Sequence, residues 1–147
     1  MAMTVIEFEY DENGMPTAGV GIKNKNKDIR AYFFVDSGAD TTPIPKTAAE
    51  YLELLEPLKK EEVDVADGVG GGMVPYVIKS ATLIIQDHGF NAKIACALTD
   101  DVPYLLGRKS VFEKFKVCFD DKRKTPTFLH MPGILSALPV PGALQGL

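Results

Sequence analysis

The run Ala31-Tyr32-Phe33-Phe34-Val35, which ends in Asp36-Ser37-Gly38-Ala39-Asp40, constrains this chain more than any other stretch. Five apolar residues without a polar interruption predict a buried strand, since their periodicity shows no exposed face. Such a strand delivers Asp36 to a place where an ionised carboxylate is costly, and burial without a partner favours its neutral form. Gly38 permits a sharp turn beside it, through backbone conformations that a side chain blocks. The triplet also has an ordinary structural use, because Asp-Ser-Gly is the chemistry of an Asx-turn at a strand end. Taken alone, the run leaves a catalytic acid and a plain turn both open.

Two further landmarks narrow the choice. Asp67-Gly68-Val69-Gly70-Gly71-Gly72-Met73 is a glycine-rich tip inside the strand-like segment Val63 to Ile85. Val102-Pro103-Tyr104-Leu105-Leu106-Gly107-Arg108 is a second apolar strand, closing in glycine and a basic residue. A phosphate-cradling loop competes for the glycines, but that loop should open a helix whose N-terminal amides receive the anion. Here Pro75 and the β-rich Tyr76-Val77-Ile78 follow, with no Lys-Ser/Thr pair directly after the glycines. A mobile hairpin is the reading that remains. In this order, the acid turn, the glycine tip and the Gly-Arg strand resemble the retropepsins, the aspartic proteases of retroviral type and their cellular and microbial relatives. The resemblance runs from about Val5 to Phe119.

That resemblance implies a mainly β lobe, a retropepsin-like closed barrel or sandwich with one or two short helices, acting as a symmetric homodimer. It implies an aspartic endopeptidase in which Asp36 is catalytic and two Asp36 carboxylates, one per subunit, hold one water. The ionised carboxyl takes the water's proton while its protonated partner polarises the scissile carbonyl; like charges so close share a single proton. The chain agrees in its own terms: it holds one Asp-[Ser/Thr]-Gly in a length that suits one lobe, so a second copy must supply the second acid. By the same resemblance, Ser37 bonds across the dimer below the acids, Gly38 and Ala39 present backbone to substrate, and Asp40 pairs with Arg108 behind the turn. The pair has independent support, because a buried charge left unpaired among apolar neighbours is strongly destabilising. Gly68, Val69, Gly70, Gly71, Gly72 and Met73 become a flap that closes over an extended peptide or protein substrate. Val102, Pro103 and Leu105 line apolar pockets beneath it. No cofactor and no metal is implied.

The resemblance stops short of the dimer interface. Retroviral members interleave their terminal strands, whereas here the segment after Phe115 continues into a further hairpin and a tail. A different class of function also stands open, a non-catalytic dimeric peptide-binding or scaffold module on the same fold. A β-rich structural domain with coincidental motifs is the plainest alternative.

At 147 residues the chain is one domain's worth, with a protease domain expected over 1–130 and an uncharged tail over 131–147 that holds three prolines and three glycines. The tail is expected to be covered, and Leu135 to Val140 is a candidate self-processing site. The net charge of −4 argues against a nucleic-acid footprint. The short cationic runs Lys23 to Lys27 and Lys122-Arg123-Lys124 read as solvated hairpin turns. Cys96 and Cys118 lie in apolar runs and read as small buried hydrophobes, not a disulfide framework. His88 and His130 lie far apart in no ligand spacing, which speaks against a structural metal site. Neither a leader nor a membrane span is visible, so a cytoplasmic protein is expected.

Strands are expected over Thr4 to Tyr10, Ala18 to Lys23, Ile29 to Val35, on both sides of the glycine tip, and over Asn91 to Leu98 and Tyr104 to Leu106. A terminal hairpin of Lys116 to Phe119 and Thr125 to His130 completes the set. Helical spacing of Ala48, Ala49, Leu52 and Leu55 predicts a helix over Lys46 to Leu55 capped by Thr47, and Arg108 to Phe115 is expected to form a second, burying Val111, Phe112 and Phe115.

Overall fold

The computed structural model describes residues 3–68 and 71–130. Its strands are β1 (Thr4–Glu7), β2 (Thr17–Asn24), β3 (Lys27–Val35), β4 (Thr42–Ile44), β5 (Asp64–Asp67), β6 (Met73–Ile85), β7 (His88–Ala97), β8 (Leu105–Leu106), β9 (Lys116–Asp120) and β10 (Thr125–His130), with one short helix, α1 (Lys46–Tyr51), after β4. A seven-stranded sheet runs β4-β7-β6-β2-β3-β8, with β5 paired to the outer part of β6. Its hairpins are antiparallel, whereas β3 meets β8 and β4 meets β7 in parallel. The two end strands of this path come together where Gly107 N–H donates to Thr42 Oγ1 at 3.1 Å, so the sheet is a nearly closed barrel. A smaller sheet, β1-β10-β9, joins the first strand to the last hairpin.

The core is filled by the inward-facing residues of these strands. Val20, Ile22, Phe33, Val35, Ile44, Val77, Leu83, Ile85, Ile94 and Leu106 are all buried. Each large apolar side chain removed from water contributes roughly 1.5–3 kcal/mol. The smaller sheet adds Ile6 and Phe128, and the Phe128 ring meets Phe115 at 5.7 Å between centroids.

Several expectations are corrected. β3 is not buried on both faces: Phe33 and Val35 point into the core while Tyr32 is exposed on the opposite face. There the Tyr32 ring lies over Gly19 of β2, whose missing side chain leaves room for it. The period-2 rule therefore holds for a strand whose composition conceals it. The strand expected over Thr4 to Tyr10 stops at Glu7 and pairs with β10, and a turn follows with Gly14 at φ 78°.

Helix α1 ends before Leu55 because Glu53 takes a left-handed conformation, φ 57°. Leu52, Leu54 and Leu55 are still buried beyond it. Thr47 is not its cap; the backbone N–H and the hydroxyl of Thr47 both donate to the Asp100 carboxylate, each at 2.8 Å. Arg108 to Phe115 is no regular helix either. Lys109 is extended and Ser110 sits at φ 72°, so helical geometry resumes only around Val111, which with Phe115 is buried while Phe112 is half-buried. Cys96 is buried as expected, but Cys118 is only half-buried.

His88 and His130 are brought together, their rings edge to face at 5.1 Å between centroids. Among the described residues no group of three or more His, Cys, Asp or Glu side chains could hold a metal ion. No helix among them is long and apolar enough to cross a membrane. The tail, 131–147, lies outside the described residues, and with it the self-processing segment.

Candidate active site

The barrel seam fixes the acid turn. Phe33 and Val35 anchor the end of β3 in the core, and the parallel ladder to β8 continues one step beyond it as Asp36 N–H donates to Leu106 O at 3.0 Å. Asp36 is half-buried at this point. Its Oδ1 accepts from Gly38 N–H at 2.9 Å, and its own carbonyl accepts from Ala39 N–H at 3.2 Å. This is an Asx-turn, so the ordinary use of the triplet and the placing of an acid coexist in one structure. A side chain at position 38 would start 3.2 Å from that carboxylate oxygen, closer than most Cβ contacts. Ser37 is exposed on the turn.

Behind the turn the chain crosses itself at close quarters. Arg108 N–H donates to Ala39 O at 2.8 Å and Lys109 N–H to Asp40 O at 3.0 Å. A Cβ on Gly107 would fall 1.9 Å from Thr41 O, so only glycine fits between the two segments. Thr42, fully buried, turns its hydroxyl to accept from the Gly107 amide. Sequence reasoning missed Thr42 and the steric role of Gly107, because both act only where two distant segments touch. The Asp40–Arg108 ion pair is corrected. Both side chains are exposed and make no salt bridge among the described residues, and backbone hydrogen bonds link the two segments instead.

A groove of about 570 Å³ opens beside the turn. Gly38, Ala39 and Asp40 form one wall, and Val102, Pro103 and Leu105 another. Gly68 and Val74 reach it from the β5–β6 hairpin, and Ala66, Ala95 and Ala97 keep its lining small. Asp67 and Lys109 bring the charged groups on the hairpin and seam sides. Six alanines and glycines in this lining leave room for a guest's side chains where larger residues would fill it. Tyr76 also borders the groove, its phenol held above the ordinary value by partial burial and by the Asp64 carboxylate opposite it in the β5–β6 ladder. Met73, expected to face a substrate, is 65% exposed and does not line the groove, whereas its neighbour Val74 does.

At the hairpin tip Gly71 has φ 90°, a conformation only glycine adopts freely, and Gly68 N–H bonds to Gly72 O. A Cβ on Gly68 would meet Val74 Cγ2 at 2.7 Å, which ties that glycine to close packing. Gly72 is exposed, and the remaining tip residues Val69 and Gly70 lie outside the described residues.

A barrel with these strand orders, whose two ends meet at the acid turn, has solved counterparts. The chain superposes on a retropepsin-like aspartic protease from Rickettsia conorii with a TM-score of 0.60, at 19% identity over 88% of this chain and 93% of that one. It superposes on the retroviral protease-like domain of Ddi1 from Leishmania major with a TM-score of 0.54, at 18% identity over 82% and 90%. The fold is retropepsin-like. The EIAV protease complexed with the inhibitor HBY-793 also aligns, with a TM-score of 0.47 at 22% identity over 69% of this chain and 88% of that one. No protein-family model matches the sequence, and no curated protein matches it.

Proposed function

We propose that this protein is an aspartic endopeptidase whose active unit is a homodimer, with Asp36 from each copy facing one water. The observation that carries this reading is the half-buried Asp36, set by the Leu106 hydrogen bond at the seam of a retropepsin-like barrel. Gly38 occupies one oxygen of that carboxylate, and Oδ2 accepts no hydrogen bond among the described residues. One carboxyl cannot be general base and general acid at the same step. Two copies about a two-fold axis supply both roles, with one proton shared between them.

In this reading the substrate is an extended peptide lying in the groove, with its side chains against Val102, Pro103 and Leu105 and its backbone along Gly38 and Ala39. The β5–β6 hairpin is the flap, and its glycine tip closes over the peptide and excludes water. The exposed Ser37 hydroxyl meets the second copy, and Asp40 with Arg108 supports the turn through the backbone bonds behind it.

Replacing Asp36 by Asn tests the proposal. The amide is nearly isosteric, so the circular dichroism spectrum and the sedimentation behaviour should match the parent protein. Cleavage of a peptide library, read by mass spectrometry across several pH values, should vanish. Cutting at the parent rate would remove Asp36 from the mechanism, and a parent protein fully active as a monomer would remove the shared site.

A further inference from the structure

We propose that a second recess, on the outer face of β2 and β3, takes a basic side chain of the substrate, arginine before lysine, about two to four residues from the bond that is cut. The inference rests on the protease reading above and adds the class of substrate. The recess holds about 530 Å³ between the segment that follows β1 and the outward residues of two paired strands. Opposite Phe34 of β3 stands Thr17, and opposite Tyr32 stands Gly19. Each aromatic ring therefore has a small neighbour across the ladder, and the volume missing from β2 is the hollow. Phe8 and Tyr10 close it from the other side, with the Phe8 ring held edge to face against the buried Phe128 at 5.5 Å between centroids.

The lining selects for positive charge. It carries two carboxylates, Glu9 and Asp11, and no lysine, arginine or histidine. Asp11 is fixed before any guest arrives, because its Oδ1 accepts from Asn13 N–H and Met15 N–H, each at 2.9 Å. Its Oδ2 and the Glu9 carboxylate accept no hydrogen bond among the described residues, and neither acid forms a salt bridge there. Aromatic faces attract cations, and a planar guanidinium can stack on a ring while offering paired N–H groups to a carboxylate, which puts arginine first. The chain shows this attraction on itself close by, where Lys124 Nζ stands 5.6 Å from the centre of the Tyr10 ring without lining the recess. The groove beside the acid turn is mixed in charge, with Asp40, Asp67 and Lys109, and makes no such selection.

Distance from the acid sets the position in the substrate. Phe33 and Val35 point inward, so Tyr32, Phe34 and, one step past the strand, Asp36 share the outward parity. At about 3.3 Å per residue, Phe34 lies ~7 Å and Tyr32 ~13 Å along β3 from Asp36. An extended peptide rises by the same amount, so a side chain about two to four residues from the cut reaches the recess. The two-fold axis of the proposed dimer repeats the recess on the other side of the cut.

Binding is measured apart from cleavage, on the full-length Asp36→Asn protein. The probes are acetyl-Ala-Ala-Arg-Ala-Ala-amide and the same peptide with lysine or norleucine in place of arginine, followed by the backbone amide shifts of Thr17 and Gly19. The arginine peptide should bind about tenfold more tightly than the norleucine one, with lysine between them. Adding Glu9→Gln and Asp11→Asn, which keeps an oxygen for the Asn13 and Met15 amides, should erase that preference. Gly19→Val, which fills the hollow from the outward face of β2, should weaken the arginine peptide while the charges stay. Equal binding of the arginine and norleucine peptides, or a preference that survives the double variant, would overturn the recess. Benzoylphenylalanine placed at position 32 that crosslinks, in the protein alone, to a second copy or to residues 131–147 would assign the hollow to that occupant and overturn it too. In the parent protein, library peptides cut should be enriched in arginine about two to four residues from the cut, and the double variant should lose the enrichment while cutting neutral peptides at the parent rate. A protein that binds the arginine peptide but cuts nothing would refute the protease reading alone, and one that cuts without regard to basic residues would refute only the recess.

Discussion

Gly107 and Arg108 are neighbours with opposite expected sensitivities. Adding one carbon at Gly107 drives it into the Thr41 carbonyl, so Gly107→Ala should destabilise by about 3 kcal/mol or more, because the obstacle is backbone. Arg108→Ala removes an exposed side chain that makes no ion pair among the described residues, and its seam contribution is the backbone amide, which alanine retains. A loss of ~0–1 kcal/mol is expected, and chemical denaturation of both variants measures the contrast. Thr42→Val keeps the shape and removes the acceptor of the Gly107 amide, leaving a buried N–H unpaired at about 1–3 kcal/mol. If that variant unfolds at the parent midpoint, the hydroxyl does not secure the seam. Burial pushes the Cys96 thiol up to about 12, against a smaller opposing pull from Lys79. Native protein should therefore react with a thiol reagent at Cys118 and spare Cys96 until it unfolds.

At the scale of elements, the β5–β6 hairpin separates stability from turnover. Its tip glycine Gly71 lies in open space at φ 90°, so Gly71→Val strains a turn without crowding a core. Peptide turnover should fall far more than the unfolding midpoint; an equal loss of both would assign the tip to packing instead of closure. The start of α1 depends on a different element, the loop that carries Asp100. Two hydrogen bonds from Thr47, the backbone one first and the hydroxyl second, hold the Asp100 carboxyl below its ordinary value. A carboxyl depressed in the folded state stabilises fully above its unfolded pKa of about 3.9 and loses that contribution as pH falls through the folded value. Asp100→Asn should therefore flatten the decline of stability below about pH 4. Parallel stability–pH curves for the two proteins would show that Asp100 has no part in it.

The whole molecule is a barrel closed at one seam, and the candidate acid sits at that seam. Strands β3 and β8 are parallel neighbours far apart in the chain, and Thr42 of β4 is hydrogen-bonded to Gly107, the residue that follows β8. Loosening the seam should therefore reach the site. In Thr42→Val, any cleavage activity should melt away at a lower temperature than in the parent, in step with loss of the folded signal. An activity that outlasts the fold's cooperative transition would place the chemistry elsewhere.

Local chemistry in the sequence determined much of this. An apolar run that ends in Asp-Ser-Gly had to be a strand delivering an acid to a tight turn, and the glycines after Asp67 followed by Pro75 and β-formers had to be a hairpin. The resemblance carried by these motifs and by Gly107-Arg108 named the fold that the solved counterparts share. Tertiary structure decided what depends on distance in space. The apolar composition of Ala31 to Val35 concealed an exposed Tyr32, because the gap it covers is made by Gly19 on another strand. Thr47 chose Asp100 over its own helix, and His88 met His130, through folding that no spacing records. Asp40 and Arg108 came close in backbone and not in charge, because the hydrogen bonds that join the two segments run between main-chain groups while both side chains are exposed at the surface.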